Sequence, residues 1–188
     1  KEYIRYGKWL GASREEKFFI KPRILIRQIV SGNPPRIFAG FTDENLYYTQ
    51  IGFGIVPKEN TISVKVLLSI INSKLMNFFH KYSFLDLEKE LFQKILIANC
   101  KKFPIKIISE QNQIPFVDMV DEIISRNIIF KTSIEKFQRT LQRNFEGLET
   151  LPKKLQNWYL LTYNEFIKEL SKKKVKLSLE DEGKWEDF

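Results

Sequence analysis

Near Glu110 the hydrophobic pattern of this chain changes period, which restricts it to a sheet-bearing body followed by helices. Upstream, apolar residues fall in short β-branched and aromatic runs broken by Gly and Pro. Phe18 to Ile20, then Arg23-Ile24-Leu25-Ile26-Arg27-Gln28-Ile29-Val30, make up one run of strand length. Ser31-Gly32-Asn33-Pro34-Pro35 stops it, because neither proline has an N–H for a ladder and Gly32 tolerates positive φ. Arg36 to Phe41 then resumes, predicting a hairpin. Leu46 to Gln50 and Gly52 to Val56 read as two more short strands, and Leu91 to Ile97 and Phe103 to Ile108 as extended pieces, Pro104 placing the last at an edge or bend. Between them Ser63 is the expected N-cap of one helix to about Tyr82, with Val64, Leu67, Leu68, Ile71, Leu75, Phe78 and Phe79 as its buried stripe.

Downstream, Val117, Val120, Ile124 and Ile128, then Ile134, Phe137, Leu141 and Phe145, mark one long or two consecutive amphipathic helices ending near Gly147. Thr162 and Glu165 form a capping box for a helix carrying Phe166, Ile167 and Leu170, and Ser178 starts a last helix with Trp185. Lys172-Lys173-Lys174 suits the C-terminal end of the preceding helix dipole. The expected class is α+β: a small mixed β-sheet body with a packed helix over 1–110, followed by a helical extension over 111–188.

Single Cys and His residues exclude an intrachain disulfide, a thiolate zinc cluster and multi-histidine metal sites. No apolar run approaches the roughly 20 residues that cross a bilayer, and no signal-peptide pattern opens the chain, so the expected setting is cytoplasmic without a membrane partner. A start at Lys1 reads as a fragment of something larger. Charge is unevenly spread: residues 1–110 hold 18 Lys and Arg against 10 Asp and Glu, whereas 111–188 hold 13 of each. Such asymmetry points to a polyanionic partner, nucleic acid foremost; its plainer reading is a solvated basic surface.

Catalytic constellations are poor. Asn33-Pro34-Pro35 followed by an aromatic would match the motif with which N6-adenine methyltransferases hold a flipped base, but the next residue is Arg36 and no glycine turn opens a helix upstream. It therefore reads as a turn. His80 reads as a packing residue and Cys100 as a small hydrophobe. Asp86, Glu88 and Glu90 form a short acidic patch that a metal-dependent nuclease would need to supplement. Binding chemistry is richer: Lys21, Arg23 and Arg27 share strand parity, with Arg36 across the hairpin loop, and are expected on one basic face able to neutralise phosphates. Arg can also grip guanine, and Gln28 or Gln50 can pair with adenine. Tyr3, Tyr6, Lys8 and Trp9 interleave aromatic and basic character, as phosphate contact or base stacking requires.

Taken in order, Tyr6-Gly7-Lys8-Trp9-Leu10, Phe19-Ile20-Lys21-Pro22-Arg23-Ile24-Leu25-Ile26-Arg27-Gln28, Leu46-Tyr47-Tyr48-Thr49-Gln50 and Leu67-Leu68-Ser69-Ile70-Ile71-Asn72-Ser73-Lys74-Leu75 resemble the TaqI-like C-terminal specificity domain. That domain is the target-recognition part of adenine-specific DNA methyltransferases and fused restriction-modification enzymes. The resemblance covers roughly residues 6–125; the remainder looks like a helical tail found after such domains in some fused enzymes. It implies a non-catalytic module that binds double-stranded DNA and presents an adenine to an N-terminal methyltransferase domain of the parent chain, where S-adenosylmethionine would be held. Candidate DNA contacts, chosen by charge and strand parity, are Lys8, Lys21, Arg23, Arg27 and Arg36, together with Gln28, Tyr47, Gln50 and Lys74. The competing class is a protein-interaction module whose basic face is merely solvated.

Overall fold

A computed structural model describes residues 6–7, 9–11, 13–32, 34–58, 62–88, 93–175, 177–178, 183 and 185. Two compact units are present, Lys1–Asp121 and Glu122–Phe188. The first contains α1 (Lys17–Ile20), β1 (Arg23–Arg27), β2 (Ala39–Thr42), β3 (Gly52–Ile55), α2 (Val64–Asn72), α3 (Lys74–Phe84), α4 (Ile97–Cys100) and the first turns of α5 (Glu110–Asn144). The second holds the rest of α5, then α6 (Lys153–Gln156), a 3₁₀ turn at Trp158–Leu160 and α7 (Tyr163–Ser171). The α+β class is as expected. The sheet, expected to be mixed, is antiparallel across its three strands in the order β2-β1-β3.

The β1–β2 hairpin forms in register Arg23↔Thr42 to Ile26↔Ala39, and a bridge between Ser31 and Arg36 narrows its loop. Strand parity sends Ile24 and Ile26 into the core, where they are 0% and 1% exposed, alongside buried Phe53, Val66 and Ile71. Two expected strands are absent. Phe18 to Ile20 winds into α1, and Leu46 to Gln50 carries no ladder: the Leu46 N–H donates to the Phe19 carbonyl (3.0 Å) and its own carbonyl accepts from Arg23 (3.0 Å). Phe103 to Ile108, expected as an extended piece, joins no ladder.

The helix expected from Ser63 to Tyr82 is two helices. Ser63 caps α2 by accepting from the Lys65 N–H (3.3 Å), and Ser73, extended at φ −64° and ψ 153°, caps α3 by accepting from the Met76 N–H (3.0 Å). A serine side chain that satisfies the next turn's free donor makes ending one helix and starting another cheap. The break redirects the apolar stripe: α3 buries Met76 and His80, while Leu75 and Phe78, expected in the core, are 78% and 61% exposed.

α5 runs unbroken for 35 residues, the single long helix among the two arrangements expected. In the second unit Phe137, Leu141, Leu148, Leu151, Leu155, Phe166, Leu170 and Val175 form the core, with Trp158 and Trp185 packed against it. The Thr162 capping box is complete: the Thr162 N–H donates to Glu165 Oε2 (2.9 Å) and Thr162 Oγ1 accepts from the Glu165 N–H (3.4 Å). Accepting from the Thr162 N–H and from the Thr162 hydroxyl (3.0 Å) holds the Glu165 carboxyl below its ordinary range. Lys172 closes the same helix by donating to Glu169 (2.7 Å), in keeping with a capping role for the lysine run.

Candidate nucleic-acid interface

The expected cations separate into groups. Arg27 is exposed and its Nη1 donates to Ser31 Oγ (3.4 Å); Ser31 pairs through its backbone with Arg36, whose N–H donates to the Ser31 carbonyl (3.0 Å). Arg36 then shares a cleft of about 640 Å³ with Lys74 and Lys81. Among the described residues none of these four cations has a carboxylate within 4.0 Å, although six ion pairs form elsewhere.

Lys21 is exposed just before β1, beyond the end of the strand opposite Arg27, and outside the cleft. Gln28 is half-buried and its backbone is engaged on both sides, donating to the Ile51 carbonyl (2.9 Å) and accepting from the Ile95 N–H (2.9 Å). Tyr47 and Gln50 line a separate depression of about 400 Å³ with Tyr6, Arg14 and Tyr48. There Tyr47 stacks on Phe19 (4.9 Å) and reaches Glu16 (3.4 Å); burial, then the Glu16 charge, raise its phenol above the ordinary value. Lys8, Tyr3, Asn33 and Glu90 lie outside the described residues.

Arg23 requires a correction. It has the expected parity, but the segment after β2 covers that end of the sheet, and Arg23 is 0% exposed. Its guanidinium donates to the carbonyls of Lys21 (2.8 Å), Glu44 (3.0 Å) and Leu46 (3.0 Å), so it clamps the fold and is enclosed by protein rather than presented on the surface. Gly54, opposite Leu25 on the same face, leaves the space that the Tyr48 hydroxyl occupies: a Cβ there would lie 2.4 Å from it. The basic strand face expected from parity is therefore closed at its Arg23 end and open at its Arg27 end.

The cleft itself depends on two asparagines that residue chemistry did not single out. Asn72 clasps Ala39, accepting from its N–H (3.3 Å) and donating to its carbonyl (3.0 Å), and Asn77 Oδ1 accepts from the Ile37 N–H (2.6 Å). They satisfy the outer edge of β2 and fix α3 beside the hairpin loop. Pro34 and Pro35 form the facing wall. Phe78 and Tyr82, 61% and 56% exposed, line it with ring centroids 4.6 Å apart, and Lys81 Nζ sits 5.2 Å from the Tyr82 centroid. Lys81, Phe78 and Tyr82 were all missed as site residues; the spacing 74, 78, 81, 82 on one helix face was the available signal.

Among the described residues the other candidate chemical groups are engaged elsewhere. Asp86 is committed to a turn, its carboxylate accepting from the Glu88 N–H (3.1 Å) while Gln93 holds its backbone on both sides (2.8 and 2.7 Å). Among the described residues no three metal-ligating side chains converge. Burial pushes the Cys100 thiol up to about 11, so it stays protonated at neutral pH. Gly52 and Gly54 lie inside β3, and Gly32 (φ +98°) lies in the hairpin loop.

His80 is 1% exposed beside Phe84 and Phe103, and its Nε2 has no partner. Burial lowers its pKa from 6.5, so below pH 6.5 the unfolded chain binds a proton that the folded one refuses. Stability is therefore full above pH 6.5 and is lost as pH falls. Because this is the chain's single histidine, the urea midpoint should drop between pH 6.5 and 5.0, by at most about 1.4 kcal/mol per pH unit. His80→Phe should flatten that dependence; a midpoint equally steep in the variant would refute the assignment.

Two family models match the chain. Residues 109–188 match the Domain of unknown function (DUF8810), and residues 1–105 match the TaqI-like C-terminal specificity domain. Among curated proteins and solved structures none matches significantly. The second match spans more than half of the sequence and takes in the hairpin, the Arg23 clamp and the Asn72-Ser73-Lys74 helix junction, so the chain belongs to the family of the TaqI-like C-terminal specificity domain.

Proposed function

We propose that the first unit binds duplex DNA through the hairpin loop and the exposed face of α3, as the target-recognition module of an adenine-specific methyltransferase or fused restriction-modification enzyme. The observation that carries this is the set Arg36, Lys74 and Lys81, three cations lining one cleft, with Arg27 tied to Ser31 of the hairpin loop, all four without carboxylate partners among the described residues. Membership in a specificity-domain family supports it. Phosphates would be neutralised by these side chains, and Arg27 or Arg36 would reach base edges. Methyl transfer, with S-adenosylmethionine, would fall to an N-terminal methyltransferase domain of the parent chain. A cytoplasmic setting fits this role, and no helix among the described residues is long and apolar enough to cross a membrane.

Salt dependence tests the reading. Four phosphate contacts predict a loss of affinity for a 20-base-pair duplex of about 100-fold between 50 and 200 mM salt, because each contact releases a condensed counterion. Affinity that is flat with salt, or no binding at 50 mM, would overturn it. A second reading, contact with another protein domain, is favoured by the outward Ile123 and Ile128 of α5, 58% and 62% exposed; such an apolar interface would respond little to salt.

A further inference from the structure

Helix α3 packs Phe79 and Phe84 against Phe103 but carries two further aromatic residues on the wrong side for stability. Its inner face buries Met76 and His80, yet Phe78 and Tyr82 stand outward, where they add nothing to the core. Around them the surface is cationic: Lys74 and Lys81 on the same helix, and Arg36 on the opposite wall. That wall is held by two prolines, and the helix is tied to the sheet edge through Asn72 and Asn77, so the cleft is preformed.

We propose that this cleft holds one unstacked nucleotide, its base lying on the Phe78 and Tyr82 rings and its phosphate among Arg36, Lys74 and Lys81. The proposal rests on the DNA-binding reading and goes further. Phosphate contact alone needs no exposed aromatics, and a paired base keeps both faces covered by its neighbours, so these rings match a base that has left the stack. A cleft of about 640 Å³ has room for a single nucleotide. Three cations unopposed by carboxylates among the described residues favour a nucleotide over an aromatic protein side chain, which brings no compensating charge.

The test uses the full chain and two duplexes of one sequence, one fully paired and one with a single bulged 2-aminopurine, at fixed salt. The bulged duplex should bind about tenfold tighter, with 2-aminopurine emission quenched by stacking. The double substitution Phe78→Leu and Tyr82→Leu, at exposed positions, should abolish both the preference and the quenching. Equal affinity for the two duplexes, or a preference that survives the double substitution, overturns the nucleotide site and leaves duplex binding standing. Failure of either duplex to bind at 50 mM salt overturns both.

Discussion

Arg23→Ala should destabilise the first unit by about 3–5 kcal/mol, read as a fall in the urea midpoint, the largest stability loss expected from any basic residue here. Arg23 is completely buried, and its two terminal nitrogens join three carbonyls from two separate segments, Lys21 before the strand and Glu44 and Leu46 after the hairpin. Truncation leaves all three acceptors dry, at about 1–3 kcal/mol each before relaxation. Arg23→Lys should recover only part of the loss, because an ammonium cannot reproduce the planar fork. A midpoint shift equivalent to less than 1 kcal/mol for Arg23→Ala would show that the clamp contributes little. The same substitution should leave the salt slope of DNA binding unchanged wherever the protein is still folded, which separates this arginine from its neighbours on the strand.

Replacing Arg27, Arg36, Lys74 and Lys81 together by Gln should have the opposite signature. All four side chains lie at the surface or on the cleft wall and make no ion pairs among the described residues, so folding should change by less than about 1 kcal/mol. Duplex affinity at 50 mM salt should fall about 100-fold or more, and the slope of log affinity against log salt should decrease by about four. Equal charge removal from the second unit, at Lys131, Lys136, Lys153 and Lys173, supplies the control for net charge. If that control weakens binding as much as the cleft substitutions, the site is only diffuse electrostatics. Each single substitution in the cleft should lower the slope by about one.

How far these roles were readable beforehand depends on how local the physics is. The hairpin was legible because two β-branched runs flank a Gly-Pro loop, and the Thr162 cap because its two partners lie three residues apart. Ser73 shows the limit. The stripe Val64, Leu67, Leu68, Ile71 continues smoothly through Leu75 and Phe78, so periodicity extends one helix across the junction. The same serine is acceptable as a mid-helix residue or as a cap, and only the sheet edge, offering the Ile37 and Ala39 groups to Asn77 and Asn72, favours the cap. That long-range bonding turned two expected core residues outward and made the cleft.

Arg23 and Arg27 make the same point within one strand. Alternation puts both on one face, and charge marks both as cations, so from residue types alone they are indistinguishable. A segment some twenty residues away closes over the first and leaves the second in solvent. What was inherent in the chain is whatever near neighbours decide: the α+β order, the long helix, the excess of positive charge before Glu110, and the run of motifs that marks the family. Which cations are free, and that two aromatics stand beside them, came from contacts between distant segments, because burial is a property of what packs over a residue and not of the residue itself.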